Sequence, residues 1–328
     1  MHVLVVMGAL CWPVAARAAT TWEQWQHLPG VVDVGGVRSD GKLVVMANGV
    51  MFLVGQDGST MPFARGSDGF AGSPDAEPYF VVAPALPTTP GGCAFGTDDA
   101  FVLDLSSPPG LIRVDPAGHA SRFASLPDVD TLNGIGIDTT GSFGYRVLVS
   151  GSSPNREAVY AVDCQGDVAT VSDSAPTIEG GLAVAPMGFG AFGGDLIGAD
   201  EGSGQIWAIA PDGSSSLVLL SSPPAGADTG VESLGFVPQA GGTAYLADRA
   251  TSNNPFPGTD SILRLEPSTL AAAGAQPGDL LVATEGGGTT IGVRCQASGC
   301  TELSIADGPA GGHTGHIEGH ITLVPAAP

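Results

Sequence analysis

Five stretches of the chain share one plan: Met51-Phe-Leu-Val-Gly-Gln-Asp-Gly58, Leu111-Ile-Arg-Val-Asp-Pro-Ala-Gly118, Val159-Tyr-Ala-Val-Asp-Cys-Gln-Gly166, Ile206-Trp-Ala-Ile-Ala-Pro-Asp-Gly213 and Ile291-Gly-Val-Arg-Cys-Gln-Ala-Ser-Gly299. Each is a short apolar strand running into a tight turn closed by glycine, the residue that tolerates positive φ. The closing glycines lie 60, 48, 47 and 86 residues apart. The last gap is double-sized, and Ser261-Ile-Leu-Arg-Leu-Glu-Pro267 within it supplies a sixth copy with a degenerate turn. Six copies give about 52 residues each, the spacing of four-stranded propeller blades.

A second strand precedes each copy. Gly194-Asp-Leu-Ile-Gly-Ala-Asp-Glu-Gly-Ser-Gly204 aligns with Gly278-Asp-Leu-Leu-Val-Ala-Thr-Glu-Gly-Gly-Gly288, and Lys42–Asn48 and Thr243–Asp248 fill the same slot. Helical periodicity is nearly absent; Pro267–Gly274 allows at most two turns. The reading is all-β: a six-bladed β-propeller formed by one domain, residues 19–328. The C-terminal strand, Ile317–Pro325, starts like an innermost strand but has no outer strands after it. The segment 42–65 has outer strands and a poor inner one. The C-terminal strand is therefore expected to complete that N-terminal blade and close the ring, with Asp33 in Val-Val-Asp-Val-Gly-Gly as a rival inner-strand start.

Composition narrows the function. The 328 residues include 33 acids and 11 bases, a net charge of −22, and the only lysine is Lys42. Phosphate binding runs on Lys and Arg, so nucleic acid is excluded as a partner. A hydrophobic share of 43% is too high for a disordered acidic chain. Residues 3–10 form a short apolar run followed by Ala16-Arg17-Ala18, so residues 1–18 read as a secretory signal peptide and the protein as secreted or periplasmic. No other apolar stretch reaches the roughly 20 residues of a membrane span. A soluble monomer without a membrane role is expected. Beyond Cys11, four cysteines remain, an even count that permits disulfides. Cys295 and Cys300 flank a tight hairpin and are expected to bridge, and Cys93 is expected to pair with Cys164.

The repeat resembles the six-bladed propellers of the gluconolactonase/regucalcin-like group, and the related NHL-repeat and paraoxonase-type propellers. The strongest local likeness is Leu132-Asn133-Gly134-Ile-Gly-Ile-Asp138, similar to the Asn-Gly-hydrophobic inner-strand motif of the gluconolactonase-like group. Glu179-Gly-Gly-Leu-Ala-Val-Ala-Pro186 resembles an ordinary blade strand of any of them.

Five innermost strands begin alike, with an acid or amide, a small residue, then an apolar run. They start at Glu77, Asn133, Glu179, Glu232 and Glu318. Inner strands line the channel of a propeller, so these five side chains should converge on one mouth. Clustered carboxylates repel unless protonated, solvated or bound to a cation. Ca²⁺ takes six to eight oxygen ligands, which makes Ca²⁺, or another divalent metal, the expected cofactor. A solvated rim of acids is the simpler alternative. The family resemblance implies a channel cation held by one Glu, two Asn and an Asp, with the metal polarising an ester or lactone. Asn133 matches that pattern residue by residue, whereas Glu stands at the other positions.

A second cluster is His313-Thr-Gly-His316-Ile-Glu318-Gly-His320. The period of two in a strand puts His316, Glu318 and His320 on one face. His316 is the candidate general base, with Glu318 as ligand or base, and the three together could bind a transition metal. A solvated turn or a core histidine with satisfied hydrogen bonds is the bland alternative. The leading expectation is an exported hydrolase of an ester or lactone that uses a channel cation. The alternative is a non-catalytic propeller that binds a protein, glycan or peptide at its rim; a metal-dependent lyase is the third.

Overall fold

A computed structural model describes residues 20–326 except 75, 127 and 310–313. The expected signal peptide, Cys11 and His313 lie outside the described residues. Strand β1 (Glu23–His27) precedes a meander of β2 (Val31–Val37), β3 (Leu43–Ala47), β4 (Val50–Val54) and β5 (Thr60–Phe63). A second meander holds β6 (Phe80–Val82), β7 (Ala100–Asp104), β8 (Gly110–Val114) and β9 (Ala120–Ser125). The third holds β10 (Thr131–Ile137), β11 (Val147–Ser153), β12 (Arg156–Val162) and β13 (Val168–Ser172). The fourth holds β14 (Glu179–Val184), β15 (Leu196–Asp200), β16 (Gln205–Ile209) and β17 (Ser215–Leu220). Then follow β18 (Val231–Phe236), β19 (Gly242–Asp248), β20 (Ser261–Leu265), helix α1 (Pro267–Ala273), β21 (Leu280–Thr284), the two-residue β22 (Gly286–Gly287), β23 (Thr290–Gln296), β24 (Gly299–Ala306) and β25 (Gly315–Pro325).

The meanders are sheets I to IV, in chain order. Sheet V is β18-β21-β23-β24, and sheet VI is β25-β19-β20-β1 with the short β22 added beyond β25; parallel pairing of β10 with β14 joins sheets III and IV. The chain therefore leaves sheet V after its first strand, builds two strands of sheet VI, and returns through α1. That detour explains the double-sized gap in the repeat. Each of the six quoted copies lies on the third strand of a different sheet: β4, β8, β12, β16, β20 and β23.

The innermost strands β2, β6, β10, β14, β18 and β25 touch in that succession, and β25 lies against both β18 and β2. Buried apolar clusters fill the spaces between successive sheets. Val44 and Met46 of sheet I meet Phe80 and Val102 of sheet II, and Val45 meets Tyr245 of sheet VI on the other side. Middle strands are covered on both faces, which is why β3 and β21 are apolar and buried throughout. Outer strands such as β13 and β17 are mostly exposed or half-buried. The arrangement is all-β and of the propeller type.

Two expectations need correction. The C-terminal strand does not pair with 42–65; β25 runs antiparallel to β19, with Gly242 opposite Pro325 and Asp248 opposite Ile317. Sheet I already has an inner strand in β2, where Asp33 faces Met46. Gly35-Gly36 and two register shifts break the apolar alternation of β2, which hides it in the sequence. The N- and C-terminal strands still share a sheet, with β1 at the outer edge of sheet VI and β25 at the inner. Second, His320 does not share a face with His316 and Glu318. Gly319 adopts φ +69, and the pairing with β19 skips from Glu318 to Thr322, so the period of two is broken there.

The expected disulfides, Cys93–Cys164 and Cys295–Cys300, are both formed, with Cα separations of 5.9 and 4.0 Å. Disulfides of this kind belong to an oxidising compartment. Among the described residues no helix is long and apolar enough to cross a membrane.

Candidate functional site

The first strand of each sheet starts at one end of the barrel of inner strands, and the acids quoted above sit at those starts. Glu77 precedes β6, Glu179 opens β14, Glu232 is second in β18, and Glu318 follows the buried Gly315-His316-Ile317 of β25. They line one cavity of about 330 Å³, together with Tyr79, Glu201, Asp228, Arg249, Glu285 and His316. Seven carboxyl groups thus share a space with one arginine and one histidine.

Asn133 lies elsewhere. It lines an adjoining compartment of about 220 Å³ with Glu77, Tyr79, Glu179 and Glu232. A register shift of β10 between Leu132 and Gly134 frees its side chain, which accepts bonds from Thr131 Oγ1 at 3.3 Å and Ser152 Oγ at 3.4 Å. Its Nδ2 donates to Glu157 at 3.5 Å.

Three side chains approach one another most closely. His316 Nε2 is 3.4 Å from Glu285 Oε1 and 3.3 Å from Glu318 Oε1, and one ligand atom of each lies within 4.8 Å of the others. His316 is only 3% exposed, and its Nδ1 has no hydrogen-bond partner among the described residues. The strand is fixed around it: the His316 N–H donates to Asp248 Oδ1 at 2.8 Å, and its carbonyl accepts from Arg249 N–H at 2.8 Å. Arg249 pairs with Glu77 and reaches Glu318 Oε1 at 3.5 Å.

Tyr79 joins two of the acids. Its hydroxyl is 2.7 Å from both Glu232 Oε1 and Glu318 Oε2. A phenol has one proton to donate, so the second contact is a hydrogen bond only when one carboxyl is protonated. Glu232 is the one: it is 4% exposed, and burial first, then the charges of Glu318 and Glu285, push its pKa well above the carboxylate range. Its other oxygen, Oε2, is buried without a partner among the described residues. Burial also raises Glu285, helped by Glu201. Glu77 rises through burial and Glu318, opposed by Arg249. Glu179 is pushed up to about 7, by burial and then by Glu201.

A divalent cation fits this donor set. Two buried polar atoms, His316 Nδ1 and Glu232 Oε2, have no partner among the described residues, and the acids facing each other are stable only when protonated or countered by positive charge. Imidazole with two carboxylates suits Zn²⁺, Mn²⁺ or a similar metal, while Ca²⁺ prefers oxygen alone.

Of the seven residues singled out from the sequence, Glu77, Glu179, Glu232, His316 and Glu318 meet in one cavity, Asn133 borders it, and His320 lies apart against Asp33. Glu285, Glu201, Arg249 and Tyr79 were missed as site residues, although a signal for the first three is visible. Glu201, Arg249 and Glu285 occupy one register, the residue just after a second strand: Asp200-Glu201, Asp248-Arg249 and Thr284-Glu285. In an antiparallel pair the second strand ends where the first begins, as Glu179 opposite Ala199 and Val231 opposite Thr284 illustrate. One mouth is therefore lined by two rings of residues. Tyr79 carries no pattern that sets it apart in the sequence.

No family model matches this chain, and no curated protein does. Solved structures with a similar course include a streptogramin B lyase, at 12% identity and TM-score 0.49, covering 84% of this chain and 69% of that one. A virginiamycin B lyase from Staphylococcus aureus aligns at 12% identity and TM-score 0.46, covering 85% and 72%. A gluconolactonase from Xanthomonas campestris aligns at 17% identity and TM-score 0.42, covering 70% of each chain. At such identities and scores these likenesses carry nothing about the chemistry of this cavity.

Proposed function

We propose that the protein is a divalent-cation-dependent hydrolase of an ester or lactone. The six sheets would close as a six-bladed ring. Residues 1–18 would be removed on export, and the mature domain, residues 19–328, would act as a monomer on a small molecule outside the cytoplasm. The observation that carries the reading is the buried Glu285–His316–Glu318 group, which lines a cavity crowded with carboxyls.

In this reading His316, Glu285 and Glu318 hold the cation, which moves His316 from base to ligand. Glu77, Glu179 and Glu232, three of the other ligand candidates, share its cavity, and Asn133 lines the adjoining compartment. A bound cation supplies Lewis-acid polarisation of the substrate carbonyl. The remaining work falls to the protein. Glu179, with a pKa of about 7, accepts a proton from the attacking water, since a base works best when its pKa is near the working pH. The water oxygen bonds to the carbonyl carbon, the ester C–O bond breaks, and Glu232 gives its proton to the departing alkoxide. Tyr79 bridges Glu232 and Glu318 and holds both in place.

The test is a panel of lactones, aryl esters and uronides assayed after chelation and again with Ca²⁺, Mg²⁺, Mn²⁺ and Zn²⁺. We expect chelation to lower ester or lactone hydrolysis at least about 100-fold, with recovery on adding one of these ions. Hydrolysis indifferent to chelation contradicts the reading. Absence of both activity and cation uptake leaves the rim-binding propeller.

A further inference from the structure

The second ring of the mouth is charged in three sheets, at Glu201, Arg249 and Glu285, and uncharged in sheet I (Asn48), sheet III (Pro154) and sheet II. In sheet II the residue following β7 is Leu105, after Asp104, and it is 43% exposed. It stands beside Glu77, Glu179 and Glu232, where a ligand covering it would remove apolar area from water.

Leu105 lies between two spaces. On one side it lines the 220 Å³ compartment with Tyr79, Asn133, Glu179 and Glu232. On the other it lines a cleft of about 360 Å³, whose apolar walls are Phe70, Ala76, Pro78, Leu103 and Ile112. The wall between them is one piece of chain, since Pro78 faces the cleft while Glu77 and Tyr79 face the acidic cavity. Its position is fixed, because Leu103 N–H donates to the Tyr79 carbonyl at 3.0 Å. The cleft is within the size range of small-molecule pockets, and Leu105 is the side chain it shares with the compartment that Glu77, Glu179 and Glu232 line.

We propose that this cleft receives the apolar acyl arm of the substrate, so that the site acts on esters or lactones of apolar acids rather than of polyhydroxy acids. The inference rests on the hydrolase reading of the acidic cavity. The carbonyl would sit among Glu179, Glu232 and the cation ligands, and the hydrocarbon would pass Leu105 into the cleft. The acid-lined side would be left to the polar leaving group.

The test is kcat/KM for p-nitrophenyl acetate, butanoate, hexanoate and octanoate, in the full chain and in Leu105→Glu, with binding of 1-octanol followed by saturation-transfer NMR. Each methylene that enters the cleft should raise kcat/KM about threefold to fourfold until the cleft is full. The octanoate-to-acetate ratio should fall at least tenfold in Leu105→Glu, and octanol binding should weaken with it. Hydrolysis with a flat ratio, or with a ratio unchanged in the variant, overturns the acyl cleft and leaves the hydrolase reading standing. Octanol binding that Leu105→Glu abolishes, without hydrolysis of any ester, upholds the cleft as an apolar ligand site and overturns the hydrolase reading. Neither octanol binding nor chain-length dependence overturns the cleft outright.

Discussion

His316 and His320 sit four residues apart on β25, and both are more than nine-tenths buried. Their surroundings differ in kind. His320 Nε2 lies 2.9 Å from the Ile135 carbonyl, which only accepts, so that nitrogen carries a proton. Its Nδ1 lies 3.1 Å from both oxygens of Asp33. Asp33 is fully buried and accepts further bonds from the Phe80 and His320 N–H groups, each at 2.9 Å. One ion pair thereby joins sheets I, II, III and VI at the centre, with every ring nitrogen satisfied. Burial works against the charged imidazole, but Asp33 and the Ile135 carbonyl outweigh it and raise the pKa. His316 has two carboxylates at one nitrogen and no hydrogen-bond partner at the other among the described residues. A satisfied buried histidine is architecture, while one whose Nε2 faces two carboxylates is a place for a cation to bind.

The sharpest way to break the comparison is to remove each ring. His320→Ala leaves Asp33 as an uncompensated buried charge, a loss of about 3–5 kcal/mol in the unfolding free energy measured by denaturant titration. His316→Ala should lower hydrolysis to the level of the chelated enzyme yet leave the cation-free protein nearly as stable as before. Equal destabilisation by both substitutions would erase the distinction between the two sites.

The pH dependence of stability should follow the acids of the mouth. Glu179 keeps its proton in the folded chain up to about pH 7 but loses it near 4.5 when unfolded. The folded state therefore binds more protons in that window, and stability falls as pH rises through it. Asp248, pushed up to about 6 by burial, acts in the same direction from its ordinary 3.8 upward. His320 adds stability that is full below pH 6.5 and is lost as pH passes its raised folded value. In chelator the melting temperature should thus decline from mildly acidic to alkaline pH. Glu179→Gln should recover roughly 1–3 kcal/mol at pH 8 and almost nothing at pH 4. A flat profile would show that the mouth is solvated rather than strained by its charges.

Tyr79→Phe is the mildest of these changes. It removes the hydroxyl shared by Glu232 and Glu318, at about 1–2 kcal/mol of stability. Cation affinity should weaken as Glu318 loses its anchor. A variant with unaltered stability and affinity would show that the two acids are held without the phenol.

Much of this was legible in the sequence, for physical reasons that particular residues illustrate. The Gly-closed turns at 58, 118, 166, 213 and 299 locate third strands, because a hairpin needs a residue of positive φ at its tip. The register of Glu77, Glu179, Glu232 and Glu318 locates the mouth, because inner strands begin there. Three things escaped. Strand β2 was legible only as the rival start at Asp33, since Gly35-Gly36 carry no apolar signal although Phe80 and Val82 pack directly against them. Glu285 and Arg249 follow the ends of second strands, and antiparallel pairing sets those ends beside the first-strand starts. The separation of His316 from His320 depends on Gly319, where a side chain would strike the Asp33 carboxylate at 2.3 Å. A pattern of alternating residues does not report such a break.

The central claim is that the acids around His316 hold a divalent cation. Equilibrium dialysis of the wild-type protein and of His316→Ala against Ca²⁺, Mg²⁺, Mn²⁺ and Zn²⁺, with elemental analysis of the retained metal, tests it most directly. We predict about one ion per wild-type chain for at least one of these metals. At a concentration 100-fold above its Kd that ion should stabilise the fold by about 2.7 kcal/mol, with none retained by His316→Ala. A wild-type chain that retains no stoichiometric ion, or a His316→Ala variant that retains the same amount, contradicts it.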